Sequence, residues 1–290
     1  MAITAVTSIA TPGQGSVAVL SSRLLALLKK MPESASAEDV HRFRTTLRRL
    51  EVHLGKCPSK IAKSLRKLRK RAGKVRDTDV HLLLLKSSLF ARSLSGGRTP
   101  VDSREKLRKA LGAKREHDLS SLRRLIAAAA PSLEAKLPGL AGSAERPEPG
   151  IQQAAQLTAQ ARGGFLQWTR NIPEESEQLH RLRISTKKLR YSLEPLEAFP
   201  LSAELAAHLR QVQDAIGNWH DWATLLQLAG RELGPSGSDP AYAALEARTG
   251  REYRKARRIA QDVRQWMIAV KPVASAEGGN STQPIIRKAG

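Results

Sequence analysis

Apolar residues recur along this chain at the three- and four-residue steps of an α-helix, and no segment reads as a strand. Projected at about 100° per residue, Phe43, Leu47, Leu50 and Leu54 fall on one stripe, as do Leu182, Leu189 and Leu193. Ile61, Leu65, Leu68, Ala72 and Val75 form a third. The pattern predicts eight helices, over Ser16–Met31, Ala37–Leu54, Ser59–Phe90, Ser103–Ala130, Gln152–Arg170, Glu174–Ala198, Ala203–Leu233 and Ala241–Met267. The predicted fold class is therefore all-α. Ser36-Ala-Glu-Asp39 has the form of a capping box, and Pro173 with Glu174 and Glu175 suits a helix start.

Two stretches interrupt the helices. Pro138–Gly150, with Gly139, Gly142, Pro147 and Pro149, reads as a linker, and a polar tail carries Gly278, Gly279, Asn280 and Ser281. The predicted organisation is a flexible N-terminus (1–15), a first helical bundle (16–137), a linker (138–150), a second bundle (151–268) and a flexible tail (269–290). The halves repeat each other. His41-Arg-Phe-Arg-Thr-Thr-Leu-Arg-Arg-Leu50 aligns with His180-Arg-Leu-Arg-Ile-Ser-Thr-Lys-Lys-Leu189 at an offset of 139. Gly73-Lys-Val-Arg-Asp77 aligns with Gly217-Asn-Trp-His-Asp221 at an offset of 144. Two motifs in the same order predict an internal duplication, hence two four-helix bundles related by a pseudo-twofold axis.

Composition changes the picture through charge. There are 49 Lys and Arg against 27 Asp and Glu, a net charge of +22 that calls for an anionic partner. Residues 1–145 hold 29 basic and 12 acidic side chains, so most of the excess sits in the first half. The chain's 41% hydrophobic residues suffice for a buried core, and its 4% aromatics suit helices better than sheets. Cys57 is the sole cysteine, which rules out an intrachain disulfide and a multi-cysteine zinc site. No apolar run reaches the length of a membrane span and the N-terminus lacks signal-peptide character, so a cytoplasmic location is expected.

The basic residues are ordered. On the second helix His41, Arg44 and Arg48 line one flank, with Arg42, Arg49 and His53 on the other. The sixth helix repeats this with His180, Arg183, Lys187 and Tyr191. From Lys56 to Arg76 there are ten basic residues and no acid, including Arg66, Arg69, Lys70 and Lys74. The eighth helix adds Arg248, Arg251, Arg254, Lys255 and Arg258. A solvated face normally mixes both signs, and these do not.

At H-R-x-R-x-x-x-[RK]-[RK]-L and G-x-x-[RH]-D, each present twice, the sequence resembles the CHAD family, the conserved histidine α-helical domain, from about Ser16 to Met267. That resemblance implies two four-helix bundles around a basic cavity, inorganic polyphosphate as ligand, and association with polyphosphate granules. The family's ligand-facing positions fall on His41, Arg44, Arg48 and Arg49, and on His180, Arg183, Lys187 and Lys188, with Arg76 matched by His220. Adding the basic faces extends the expected polyphosphate surface to Arg42, Arg66, Arg69, Lys70, Lys74, Arg190, Arg210, Arg251, Arg254 and Arg258. Asp77 and Asp221 are expected to form structural ion pairs, and Trp219 and Trp222 to pack. Arg210 is the only Lys or Arg between Ala203 and Trp222, so the halves should contribute unequally. The Glu-x-Glu-x-Lys signature of the metalloenzyme fused to other members is lacking at Glu175-Ser-Glu177-Gln-Leu179, so a stand-alone member is expected.

Two other function classes compete. Catalysis would require a metal cluster, a Gly-rich phosphate loop or a nucleophile elbow, and none is present. No metal, cofactor or catalytic residue is therefore assigned. Binding to nucleic acid satisfies the charge criterion, yet base-stacking aromatics are scarce, since Phe43 and Phe90 lie in apolar stripes.

Overall fold

The computed structural model describes residues 17–33, 35–54, 59–86, 100–140, 150–171, 176–196, 198–234 and 239–270. Among them the chain forms eight α-helices and no strand. These are α1 Val17–Lys30, α2 Ala37–Leu54, α3 Ser59–Lys86, α4 Pro100–Lys136, α5 Ile151–Trp168, α6 Ser176–Leu193, α7 Pro200–Leu233 and α8 Pro240–Ala269. Short 3-10 turns at Pro138–Leu140 and Glu194–Leu196 follow α4 and α6.

Local chemistry accounts for the helix ends. Asp39 N–H donates to Ser36 Oγ at 3.1 Å while Ser36 N–H donates to Asp39 Oδ2 at 3.3 Å, the reciprocal cap predicted for α2. Lys30 Nζ reaches Asp39 at 2.8 Å, tying the end of α1 to that cap. At α8, Asp239 Oδ1 accepts from Ala241 N–H at 2.7 Å, ahead of which Pro240 needs no amide partner. The expected end of the fourth helix at Ala130 is corrected: α4 continues through Pro131 to Lys136. Proline removes one amide from the ladder. The alanines at 127–130 favour helix strongly, and Leu133 and Leu137 beyond the proline are buried in the core, which holds the last turns in place. The proposed start at Pro173, the proposed end at Phe90, Cys57 and most of the linker and tail lie outside the described residues.

By packing, the chain divides into two compact units. One comprises Met1–Arg146 and Asp221–Arg248, the other Pro147–His220 and Thr249–Gly290. The first division falls within the predicted linker. The other two fall inside α7 and α8, each of which contributes to both units. Residues 221–248, read from sequence as part of the second bundle, thus pack with the first unit.

The first unit holds two apolar clusters. In one, Leu20, Leu24 and Leu28 of α1, Phe43, Leu47 and Leu50 of α2, Leu65, Leu68 and Ala72 of α3, and Leu122 and Ile126 of α4 are buried together. These are the stripes read from the sequence, and each large side chain stabilises the fold by about 1.5–3 kcal/mol. In the other, Leu85, Leu107 and Leu111 close on Trp222, Leu225, Ala229, Ala241 and Leu245.

In the second unit α5 packs along α6. Arg162 Nε donates to Met267 O at 2.8 Å and Arg264 to Leu166 O at 2.9 Å, lacing α5 to α8. The hydroxyls of Thr158 and Ser202 meet at 2.7 Å, joining α5 to the start of α7. Phe165, Leu182, Leu193, Leu209, Val212 and Ile216 are buried there.

Candidate anion-binding site

In the first unit, helical spacing sets His41, Arg44 and Arg48 along one flank of α2. That flank faces α3 at Gly73, where a Cβ would stand 3.4 Å from Arg44 Nε. A larger residue would take the room the guanidinium occupies. Arg76, one helical turn beyond Gly73, completes a cationic group drawn from two helices. The pKa of His41 shows their closeness. Partial desolvation first, then the charges of Arg76, Arg44 and Arg48, hold it below the usual imidazole value against the opposing pull of Glu38.

The second unit repeats the arrangement with different chemistry. His180 and Arg183 come from α6, and His220 from α7. The two imidazole rings lie 4.9 Å apart between centroids. Gly217 again makes space, its Cβ position being 3.7 Å from Arg183 Nε. That Nε is buried and has no hydrogen-bond partner within the protein. Burial, reinforced by the charge of Arg183 and by His180, pushes the pKa of His220 down to about 4. Where the first unit presents a fixed charge at Arg76, the second presents a half-buried ring that is neutral until something stabilises its proton.

The remaining predicted residues are distributed otherwise. Arg42 pairs with Glu38 at 2.8 Å on the surface, and Arg69 places its Nε within 2.9 Å of both oxygens of Glu51. Arg190 is buried, donating to Gln213 at 3.0 Å, pairing with Glu194 at 3.1 Å and lying over Tyr191. These three are held by the fold itself. Lys187 stands 5.9 Å from the Tyr191 ring. Arg66, Lys70 and Lys74 are exposed on the outer side of α3, and Lys188, Arg210, Arg251, Arg254 and Arg258 are exposed in the second half of the chain. Arg48 and Arg49 are half-buried. Asp77 is exposed and Asp221 half-buried. Trp222 is buried beneath the Arg248 guanidinium, and Trp219 meets Tyr253 edge-on, so both tryptophans pack.

Sequence reasoning missed the acids that brace this basic unit. Asp118 is buried between Arg71 and Lys114, and the buried Asp79 receives Arg115, which also donates to Ala35 O. The Lys114–Asp118 step of four residues was the available signal for one of them. Among the described residues no group of three or more His, Cys, Asp or Glu could hold a metal ion, and no helix is long and apolar enough to cross a membrane.

Comparison with known protein families matches residues 18–230 to the CHAD domain. The chain belongs to the CHAD family. The CHAD match takes in α1 through most of α7, and with them both histidine-bearing helices and both glycine-bearing helices. Among solved structures, the chain is similar to the crystal structure of the CHAD domain from the plant Ricinus communis, with a TM-score of 0.58 and 18% sequence identity. That similarity covers 88% of this chain and 90% of the plant chain. At such identity it shows the fold alone, which is CHAD-like. Comparison with curated proteins returned no match.

Proposed function

We propose that this CHAD protein binds inorganic polyphosphate, without catalysing its cleavage, through the paired clusters His41–Arg44–Arg48–Arg76 and His180–Arg183–Lys187–His220. The observation that carries this reading is the repeated geometry: in each unit a histidine and an arginine one helical turn apart meet a second helix at a glycine. Like charges held this close are mutually repulsive until phosphate oxygens stand between them. Arginine offers those oxygens paired donors in a fixed fork. Among the described residues no carboxylate forms an ion pair with Arg44, Arg76 or Arg183. The recurrence also supports an origin of the two halves by duplication. Association with polyphosphate granules follows from the same ligand.

Nucleic acid is the competing polyanion. Of the site's rings, His180 and His220 lie against each other, and the tryptophans are packed away, so little is left for bases to stack upon. Labelled long-chain polyphosphate is competed against duplex DNA and tRNA at equal phosphate concentration and two salt concentrations. Preference for polyphosphate, lost on charge reversal at Arg44, Arg48, Arg183 and Lys187 in a correctly folded protein, supports the proposal. Equal competition by all three polyanions refutes it.

A further inference from the structure

Helix α3 carries a second basic surface, distinct from the flank that meets α2. Its apolar residues Ile61, Leu65, Leu68, Ala72 and Val75 fill the core. On one side of that stripe Gly73 and Arg76 adjoin α2, and on the other Arg71 reaches Asp118 of α4 at 3.4 Å. The face left over points away from all three. It holds Lys60, Lys63, Lys67, Lys70 and Lys74, every one exposed. Their alternating steps of three and four residues keep them in a single row, about 21 Å long with an ammonium roughly every 5 Å. The row lies roughly 150° around the helix from Arg76, so it cannot belong to the histidine–arginine cluster.

Its composition is unlike the rest of the surface. Several exposed cations elsewhere pair with an acid one turn away: Arg42 with Glu38, Arg108 with Glu105 and Arg181 with Glu177. Lys60, Lys63, Lys67 and Lys70 have no Asp or Glu three or four residues away on either side, and only Lys74, at the end of the row, has one in Asp77. Neighbouring lysines along the row repel one another. The side-chain chemistry differs as well. The clustered arginines are seated against glycine and present fixed forks, whereas lysines on flexible stems accept phosphates in any orientation.

We propose that this lysine ridge is a second polyanion surface, so that one molecule holds two separate stretches of polyphosphate and cross-links them. This rests on the polyphosphate reading above and adds a network-forming role to it. Chain length becomes a determinant of behaviour. Chains too short to span two molecules fill sites singly, while long chains are joined into assemblies.

The test uses the full chain with inorganic polyphosphate of two lengths, about ten and several hundred phosphates. Light scattering during titration reads cross-linking, and fluorescence anisotropy of the short chain reads single-site affinity. A K60Q/K63Q/K67Q/K70Q/K74Q variant, with folding checked by circular dichroism, should lose at least fivefold in scattering with the long chain. Its short-chain affinity should shift by less than about threefold. Arg44→Gln with Arg183→Gln should weaken the short chain at least tenfold and, by removing the other surface, lower the scattering as well. A two-site variant, K63E/K70E, should suppress scattering more strongly than any single K→Q change. Scattering by the five-lysine variant equal to that of the unaltered protein overturns the ridge proposal and leaves the cluster reading standing. Absence of binding to either chain by the unaltered protein overturns both.

Discussion

Polyphosphate binding should be accompanied by proton uptake, and His220 sets its size. In the free protein burial and Arg183 hold this ring at a pKa of about 4. At pH 5.5 only about 3% of free molecules therefore carry its proton. Phosphate oxygens against the ring return it at least to the ordinary imidazole value of about 6.5, where about 90% are protonated at the same pH. Binding at pH 5.5 thus takes up about 0.9 proton at His220, with a further contribution from His41, whose pKa is also depressed. The bound pKa exceeds the free one, so affinity rises as the solution is acidified from pH 8. It levels off below about pH 4, where the free ring is protonated too. Between pH 8 and pH 5.5 the gain from this residue is about tenfold, or about 1.4 kcal/mol. Isothermal titration calorimetry at pH 5.5, in buffers of different ionisation enthalpy, reads the uptake directly. His220→Gln should remove about 0.9 proton of it. Proton release on binding, or an uptake untouched by His220→Gln, would refute the reasoning. The same ring lowers stability in acid when no ligand is present, because the unfolded chain holds a proton at pH 5 that the folded protein does not.

Five further outcomes are expected. Gly73→Ala should raise stability by about 0.5–1 kcal/mol through helix propensity, read as a higher midpoint in urea, whereas Gly73→Leu should displace Arg44 and weaken polyphosphate binding at least tenfold. Asp118→Ala should cost about 1 kcal/mol in the same assay, since it removes the buried carboxylate that the partly exposed Arg71 and the exposed Lys114 share. Ser36→Ala should cost about 1 kcal/mol by removing the cap of α2. The depressed pKa of Asp39, due first to Lys30 and then to Ser36, adds stability that is full above the unfolded carboxylate value and is lost as pH falls below it through the lower folded value, read as a falling urea midpoint in acid. Raising monovalent salt from about 50 to about 200 mM should weaken polyphosphate binding about a hundredfold, taking roughly 0.7 of an ion released for each of about five fixed cations.

Much of this was legible in the chain. The stripes at Phe43, Leu47 and Leu50 and at Leu65, Leu68 and Ala72 are buried as their spacing required, because a helix fixes which side chains share a face. The grouping of His41 with Arg44 followed for the same reason. Periodicity separates Arg76 from Lys70 and Lys74 on α3 but does not say which flank of one helix meets which flank of the next, and so the seating of the Arg76 side against α2 had to be seen. The partner of Arg69, Glu51, lies 18 residues away, beyond the reach of any local pattern, whereas Arg190 has Glu194 four residues on as well as the more distant Gln213. The end of α4 was misplaced because Pro131 signals a break locally, while the burial that overrides it is tertiary. Helix breaks mark gaps in periodicity but carry no information about packing between distant segments, and residues 221–248 were placed with their sequence neighbours for that reason.

The sharing of α7 and α8 bears on how the protein is made. Leu85, Leu107 and Leu111 leave the ribosome long before Trp222, Leu225 and Leu245, the side chains that cover them. At about 5–20 residues per second, that greasy seam waits roughly 7–30 s for its lid during synthesis. A nascent chain of net positive charge, with an open apolar edge, is a natural client for chaperones through that interval. Folding of this unit is completed only from its far end.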